Sequence, residues 1–243
     1  MNRFPSPEQW ASLEASLPQD RTAITAGWSF AAQQEHASIA SFSKFSLELM
    51  AVGAPPSFLS RAHKAALDEI DHARMSFRIA SACAGQPLGP GPLPFSVASI
   101  SETMTLQGSA IAAALDGCLN ETIAALEAVA AAEGAKVDAV RLVLEEIGLD
   151  EQAHAELAWA YVAWAIGLGG QELREVIRSV VESELRALES AVEPRPGPDW
   201  SAWGCWNRAP VFGCGCAPPV RCCDRPSSGC CTRASDRLRC AHS

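Results

Sequence analysis

Asp68-Glu69-Ile70-Asp71-His72 and Asp150-Glu151-Gln152-Ala153-His154 decide how this chain is read. Both spell Asp-Glu-x-x-His. In an α-helix, positions i and i+3 share a face, so Glu69 with His72, and Glu151 with His154, can each grip one ion. Chance is a poor account of the pair. With 9 Asp and 19 Glu among 243 residues, two of the five histidines would carry this prefix by accident on the order of once in ten thousand.

The sequence around both motifs is helical. From about residue 20 to 192 it is rich in Ala, Leu and Glu, and apolar residues recur at alternating steps of four and three. A first seam runs Trp28, Ala32, Glu35, Ile39, Phe42, Ser46, Leu49, and a second runs Phe58, Ala62, Ala65, Glu69, His72, Ser76, Ile79, Cys83. A third joins Ile111, Ala114, Cys118, Glu121, Ala125 and Ala128, and a fourth joins Ile147, Glu151, His154, Ala158, Tyr161, Ala165 and Leu168. Pro55-Pro56 breaks the first helix from the second, with Ser57 as the expected cap. The stretch 85–94, full of Gly and Pro, is the one long connection. Gly134 divides the third helix from the fourth, Gly167 to Gly170 end the fourth, and a shorter fifth runs from about Gln171 to Val192. Helix pair, long link, helix pair describes an all-α four-helix bundle with one long crossover. The expected organisation is a lead over 1–19, the bundle over 20–192 and an irregular tail over 193–243.

The tail differs in kind. Residues 194–243 hold no Glu, Lys, Ile or Met, but eight of the ten cysteines, three Trp and seven Arg. It is either a small zinc or disulfide module, or an unstructured tail, including one read out of frame from a GC-rich gene. The spacing suits zinc badly: Cys214 and Cys216 are one residue apart, Cys222-Cys223 and Cys230-Cys231 are adjacent, and no Cys-x-x-Cys occurs. The second reading is preferred, and no function is placed on these cysteines.

A formal charge of -9 argues against nucleic acid as a partner, since phosphate binding wants a basic face. The amino-terminal sequence lacks a basic stretch followed by an apolar run, and no segment is apolar for long enough to span a bilayer. A cytoplasmic protein with no membrane partner is expected, and oligomerisation is left open.

Glu35 and Glu121 complete the set. A bundle site built on two Glu-x-x-His motifs draws one further Glu from each remaining helix, and these two lie on the right seams. Glu35, Glu69, His72, Glu121, Glu151 and His154 should therefore all point inward. Four buried carboxylates repel one another, and each unpaired buried charge costs several kcal/mol. Two divalent cations would cancel the four negative charges. Oxygen-rich ligation with one His per ion suits iron, with manganese as the alternative, better than structural zinc.

The order Glu35, Glu69-x-x-His72, Glu121, Glu151-x-x-His154 resembles the ferritin-like di-iron carboxylate superfamily over about residues 20–170. The segments QQEHASIASF (33–42) and ALDEIDHARMSF (66–77) look like bacterial ferritin-like domain proteins of uncharacterised activity. The resemblance implies a ferritin-like bundle holding two iron ions that activate dioxygen, as in an oxidase or hydroxylase with an electron donor. Its alternatives are a ferroxidase or iron-handling protein, or a metal-stabilised bundle without turnover. It also implies that Asp68 and Asp150 hydrogen-bond the metal-bound His of the opposite motif. Monooxygenase motifs often carry Arg before the His, where Asp71 and Ala153 stand here, and storage ferritins usually lack the second complete motif.

The remaining candidates have plainer readings. Tyr161 is either a redox-active or hydrogen-bonding neighbour of the site or, preferably, a packed core tyrosine. Cys118 reads as a buried small hydrophobe. His36 and His63 fall off the seams. Glu48, Glu127, Glu145, Glu146 and Glu156 read as solvated faces.

Overall fold

The computed structural model describes residues 4–93, 103–191 and 201–205. Every regular element among them is helical, so the all-α expectation holds. Helix α1 is Pro7–Ser16, α2 is Thr22–Ala51 and α3 is Pro56–Ala84. Helix α4, Leu106–Ala112, passes through a π-helical stretch, Ala113–Glu121, into α5, Thr122–Gly134. Helix α6 is Asp138–Ala191, and a short 3-10 turn covers Ser201–Trp203.

Helix α1 lies in the stretch expected to be a mere lead. It starts at a capping box: Ser6 Oγ accepts from the Gln9 amide at 3.3 Å, and Gln9 Oε1 accepts from the Ser6 amide at 2.8 Å. Trp10 and Leu13 are buried in the core, but two large apolar residues in ten are too few for a seam to register. Helix α3 begins with Pro56 in its first turn. Its cap position is Pro55 and no side chain caps it, so Ser57 is a first-turn residue rather than the expected cap. Gly85 closes α3 at φ 69°, a left-handed conformation that glycine adopts without strain. Thr105 caps α4 by accepting from the Gly108 amide at 3.0 Å. The break expected at Gly167 to Gly170 falls at Gly170, whose φ 66° and ψ -154° interrupt α6.

Helices α2 and α3 pack against each other, as do α5 and α6, and short turns make each pair antiparallel. Asp68 faces His154 while His72 faces Asp150, so α3 and α6 also run in opposite directions. The segment 106–134 therefore runs with α3, and α2 runs with α6. Two large apolar layers fill most of the interior, beside a small cluster of Ala32, Ala73 and Phe77. One gathers Trp10, Ile24, Trp28, Ile79, Val140 and Leu144; the other gathers Phe42, Leu49, Ala62, Leu157, Tyr161 and Leu173. On each long helix the acidic and histidine residues fall between them.

Residues 201–205, from the expected tail, pack onto the first layer. Trp203 is buried, and its carbonyl accepts from Trp28 Nε1 at 3.0 Å. The Lys136 amide donates to the Ala202 carbonyl at 3.0 Å. Gly204 has φ 69°, and a Cβ there would meet Leu144 Cδ1 at 2.6 Å, so the chain can approach this closely only with glycine. The rest of the tail, with every cysteine beyond Cys205, lies outside the described residues, as do both readings offered for it. Among the described residues no helix is long and apolar enough to cross a membrane.

Candidate metal centre

Four elements deliver the candidate side chains. Helix α3 carries Asp68, Glu69 and His72, α6 carries Asp150, Glu151 and His154, α2 carries Glu35, and Glu121 ends the π-helical stretch. Glu69 and His72 are fully buried, and Glu151 and His154 are 3% exposed. The side chains of Glu35 and Glu121 keep 16% and 14% exposure. All six expected ligands converge, in two overlapping groups. Glu35, Glu69, His72 and Glu151 form one; Glu69, Glu121, Glu151 and His154 form the other. Within each group the ligand atoms lie within 4.8 Å of one another. Glu69 and Glu151 belong to both.

The distances resolve two halves. His72 Nδ1 lies 3.4 Å from Glu151 Oε1, 3.5 Å from Glu69 Oε2 and 3.7 Å from Glu35 Oε2. His154 Nδ1 lies 3.2 Å from Glu69 Oε1, 3.7 Å from Glu151 Oε2 and 3.9 Å from Glu121 Oε2. The outer ring nitrogens face the paired aspartates crosswise. His72 Nε2 is 3.2 Å from Asp150 Oδ2, and His154 Nε2 is 3.5 Å from Asp68 Oδ2. A carboxylate on that side holds the proton on Nε2, which leaves the Nδ1 lone pair facing inward.

These inward atoms are unsatisfied. Both Glu69 oxygens, Glu151 Oε2, His72 Nδ1 and His154 Nδ1 have no hydrogen-bond partner. Buried polar atoms are otherwise almost always paired, at a cost of about 1–3 kcal/mol for each neutral group left alone and more for charged ones. Cations held by the two groups would satisfy these atoms, so the donor set fits metal binding.

Without a cation, protons take its place. Burial pushes the Glu35 carboxyl up to about 8, opposed by the nearby His72 imidazole and reinforced by the Glu69 charge. Burial, the Glu151 charge and the hydrogen bond to Glu151 raise Glu121 well above the usual carboxylate range. Burial disfavours the charged histidines, but the nearby carboxylates outweigh it: Asp150, Glu151, Glu35 and Glu69 raise His72, and Asp68, Glu151 and Glu69 raise His154 to about 11. Burial alone would raise Glu151 too, but its close approach to Glu121, His154 and His72 holds it well below its ordinary value.

The π-helical stretch brings its backbone close to α6. A Cβ on Gly117 would meet Ala158 Cβ at 2.3 Å; Gly117 lies four residues before Glu121, and Ala158 four residues after His154. Nothing in the seam spacing betrays the wider turn. Phe42 meets the His154 ring edge-on at a centroid distance of 4.9 Å. Tyr161 is fully buried among Phe45, Phe58 and Trp164, with its hydroxyl 2.6 Å from Ser109 Oγ, so the packed reading describes it. Burial leaves Cys118 a protonated thiol, raised to about 12. Leu168, expected on the fourth seam, is instead 62% exposed, because the helix is about to break at Gly170.

Glu48 overturns the solvated reading. It is 2% exposed, accepts a hydrogen bond from Thr103 and pairs with Lys44 at 2.5 Å. The lysine four residues earlier reads equally as a surface pair, so the sequence carried no distinguishing signal. Ser76 was placed on the second seam without a role, and Lys64 went unnoticed in the sequence. Ser76 is buried one turn beyond His72 with an unpaired hydroxyl, and Lys64 reaches the aspartates beside the histidines.

No protein-family model, curated protein or solved structure matches the chain. The functional reading therefore rests on the geometry above.

Proposed function

We propose that this protein is a ferritin-like dinuclear metal protein that binds two iron ions and activates dioxygen as an oxidase or hydroxylase. One observation carries the reading: Glu69 and Glu151 are shared by two ligand groups, each completed by its own Glu and its own imidazole. Carboxylates placed in that way suit bridging positions, and Glu35 and Glu121 suit terminal ones. The helix directions agree with a ferritin-like order. Parallel running of α3 and the segment 106–134 suits a bundle with one long crossover.

Paired iron ions, when bound, supply electrons two at a time for the reduction of dioxygen. The protein's own contribution is to hold them. Glu69 and Glu151 present oxygens to both halves, and His72 and His154 present Nδ1 lone pairs. Asp150 and Asp68 keep the Nε2 protons in place. The apolar layers on both sides keep bulk water from the inward atoms.

The test is metal identity and stoichiometry on purified protein, followed by air exposure of anaerobic ferrous-loaded protein. About two irons per chain and new near-ultraviolet absorption are expected. Turnover that needs an added electron donor identifies the oxidase or hydroxylase, whereas a large mineral core in a cage-sized particle identifies iron storage. Unchanged metal content in both Glu69→Ala and His154→Ala overturns the assignment.

A further inference from the structure

Lys64 sits where neither motif would place a functional residue, one turn before Asp68 on α3. Its Nζ lies 2.5 Å from Asp68 Oδ2 and 3.8 Å from Asp150 Oδ1. Those are the two carboxylates that face His154 and His72. One ammonium thus lies between two acid groups that come from different helices and serve opposite halves of the centre. The Lys64 side chain is 63% exposed, whereas Asp68 and Asp150 keep only 5% and 14%. Lys64 stands with Arg61 at the mouth of a narrow cleft between α3 and α6, and Asp68 and His154 form its inner wall.

We infer that Lys64 is a positioning residue that holds Asp68, and less tightly Asp150, against the imidazoles and so makes the two metal positions unequal. Two carboxylates approaching one another between α3 and α6 repel, and a cation between them offsets that repulsion. The ammonium fixes their separation. A carboxylate beside an imidazole N–H sets the ring's orientation and its strength as a ligand, so anchoring the carboxylate anchors the ring. Because Lys64 is much nearer Asp68, its influence falls mainly on the His154 half, made with Glu121. The His72 half, made with Glu35, feels it weakly. The inference rests on the two-metal reading above.

Cobalt(II) tests it, because a bound imidazole N–H then gives a strongly shifted, exchangeable proton resonance. The wild-type protein should show two such signals, with the His154 signal identified by its proximity to the Phe42 ring. Lys64→Met keeps the aliphatic stem and removes the charge. It should shift the His154 signal and speed its exchange with water while leaving the His72 signal in place, and it should weaken one of the two cobalt ions about 10-fold. Unchanged signals and affinities in Lys64→Met overturn the inference, as does an equal loss at both positions. Failure of the wild-type protein to take up cobalt, iron or manganese overturns the metal reading itself, a distinguishable result.

Discussion

Glu69 and Glu151 differ from Glu35 and Glu121 in what their loss should do. A carboxylate that serves both halves cannot be replaced by its neighbours, whereas a terminal one serves a single half. Glu69→Gln should therefore strip most of the bound metal, while Glu121→Gln should leave about half, as read by metal analysis after gel filtration. Acidity adds a second residue-scale prediction. Glu35 is raised to about 8 and His154 to about 11, so both groups favour the metal-free fold when protonated. The Glu35 contribution is complete below its ordinary value of 4.5 and is lost as pH rises through about 8. The His154 contribution is complete below 6.5 and is lost towards about 11. Chelator-treated protein should therefore lose thermal stability from pH 6.5 to 8, where both contributions decline. Metal must displace the same protons, so its apparent affinity should rise over that window. Calorimetry in buffers of different ionisation enthalpy would measure the protons released.

At the scale of elements, the close approach of the π-helical stretch to α6 is the most exposed point of the design. Ala158 Cβ lies 2.3 Å from where a Gly117 side chain would begin, and neither backbone can yield without moving a ligand one turn away. Gly117→Ala should cost about 1–3 kcal/mol in urea unfolding and weaken metal binding as well. This feature was invisible in the sequence, because the Cys118 to Glu121 spacing reads as an ordinary helix and π-winding is a product of tertiary fit. What was legible had a strong local cause. Pro55-Pro56 forbids continuous helix, Gly170 takes a backbone conformation that other residues resist, and long seams of Ala and Leu leave their acidic members conspicuous. The six candidate ligands were legible because carboxylates rarely occupy such positions. Helix α1 was missed although Ser6 and Gln9 spell its capping box, since a short helix carries little periodicity. Glu48 was misplaced because a buried glutamate paired with a lysine looks, in one dimension, like any surface i, i+4 pair. Lys64 was missed because its second partner, Asp150, belongs to another helix.

At the scale of the molecule, binding a cation to the native state and not to the unfolded chain adds stability by mass action, about 2.7 kcal/mol at a free concentration 100 times the dissociation constant. Loaded protein should accordingly melt at a higher temperature than chelated protein, while a variant lacking ligands, such as Glu69→Gln, should gain little from added metal. The packing of residues 201–205 makes a separate prediction. Trp203→Ala removes a buried indole and should cost up to about 3 kcal/mol without changing metal content, a dissociation that thermal scans and metal analysis together would detect. The acidic layer lies between an upper and a lower oil drop, and ions binding both halves of the layer would strengthen the join between them. Cooperativity should then depend on the cargo: one sharp calorimetric transition with metal, and a broadened or double one after chelation, in which the drop that holds Tyr161 and the drop that holds Trp28 melt on their own schedules.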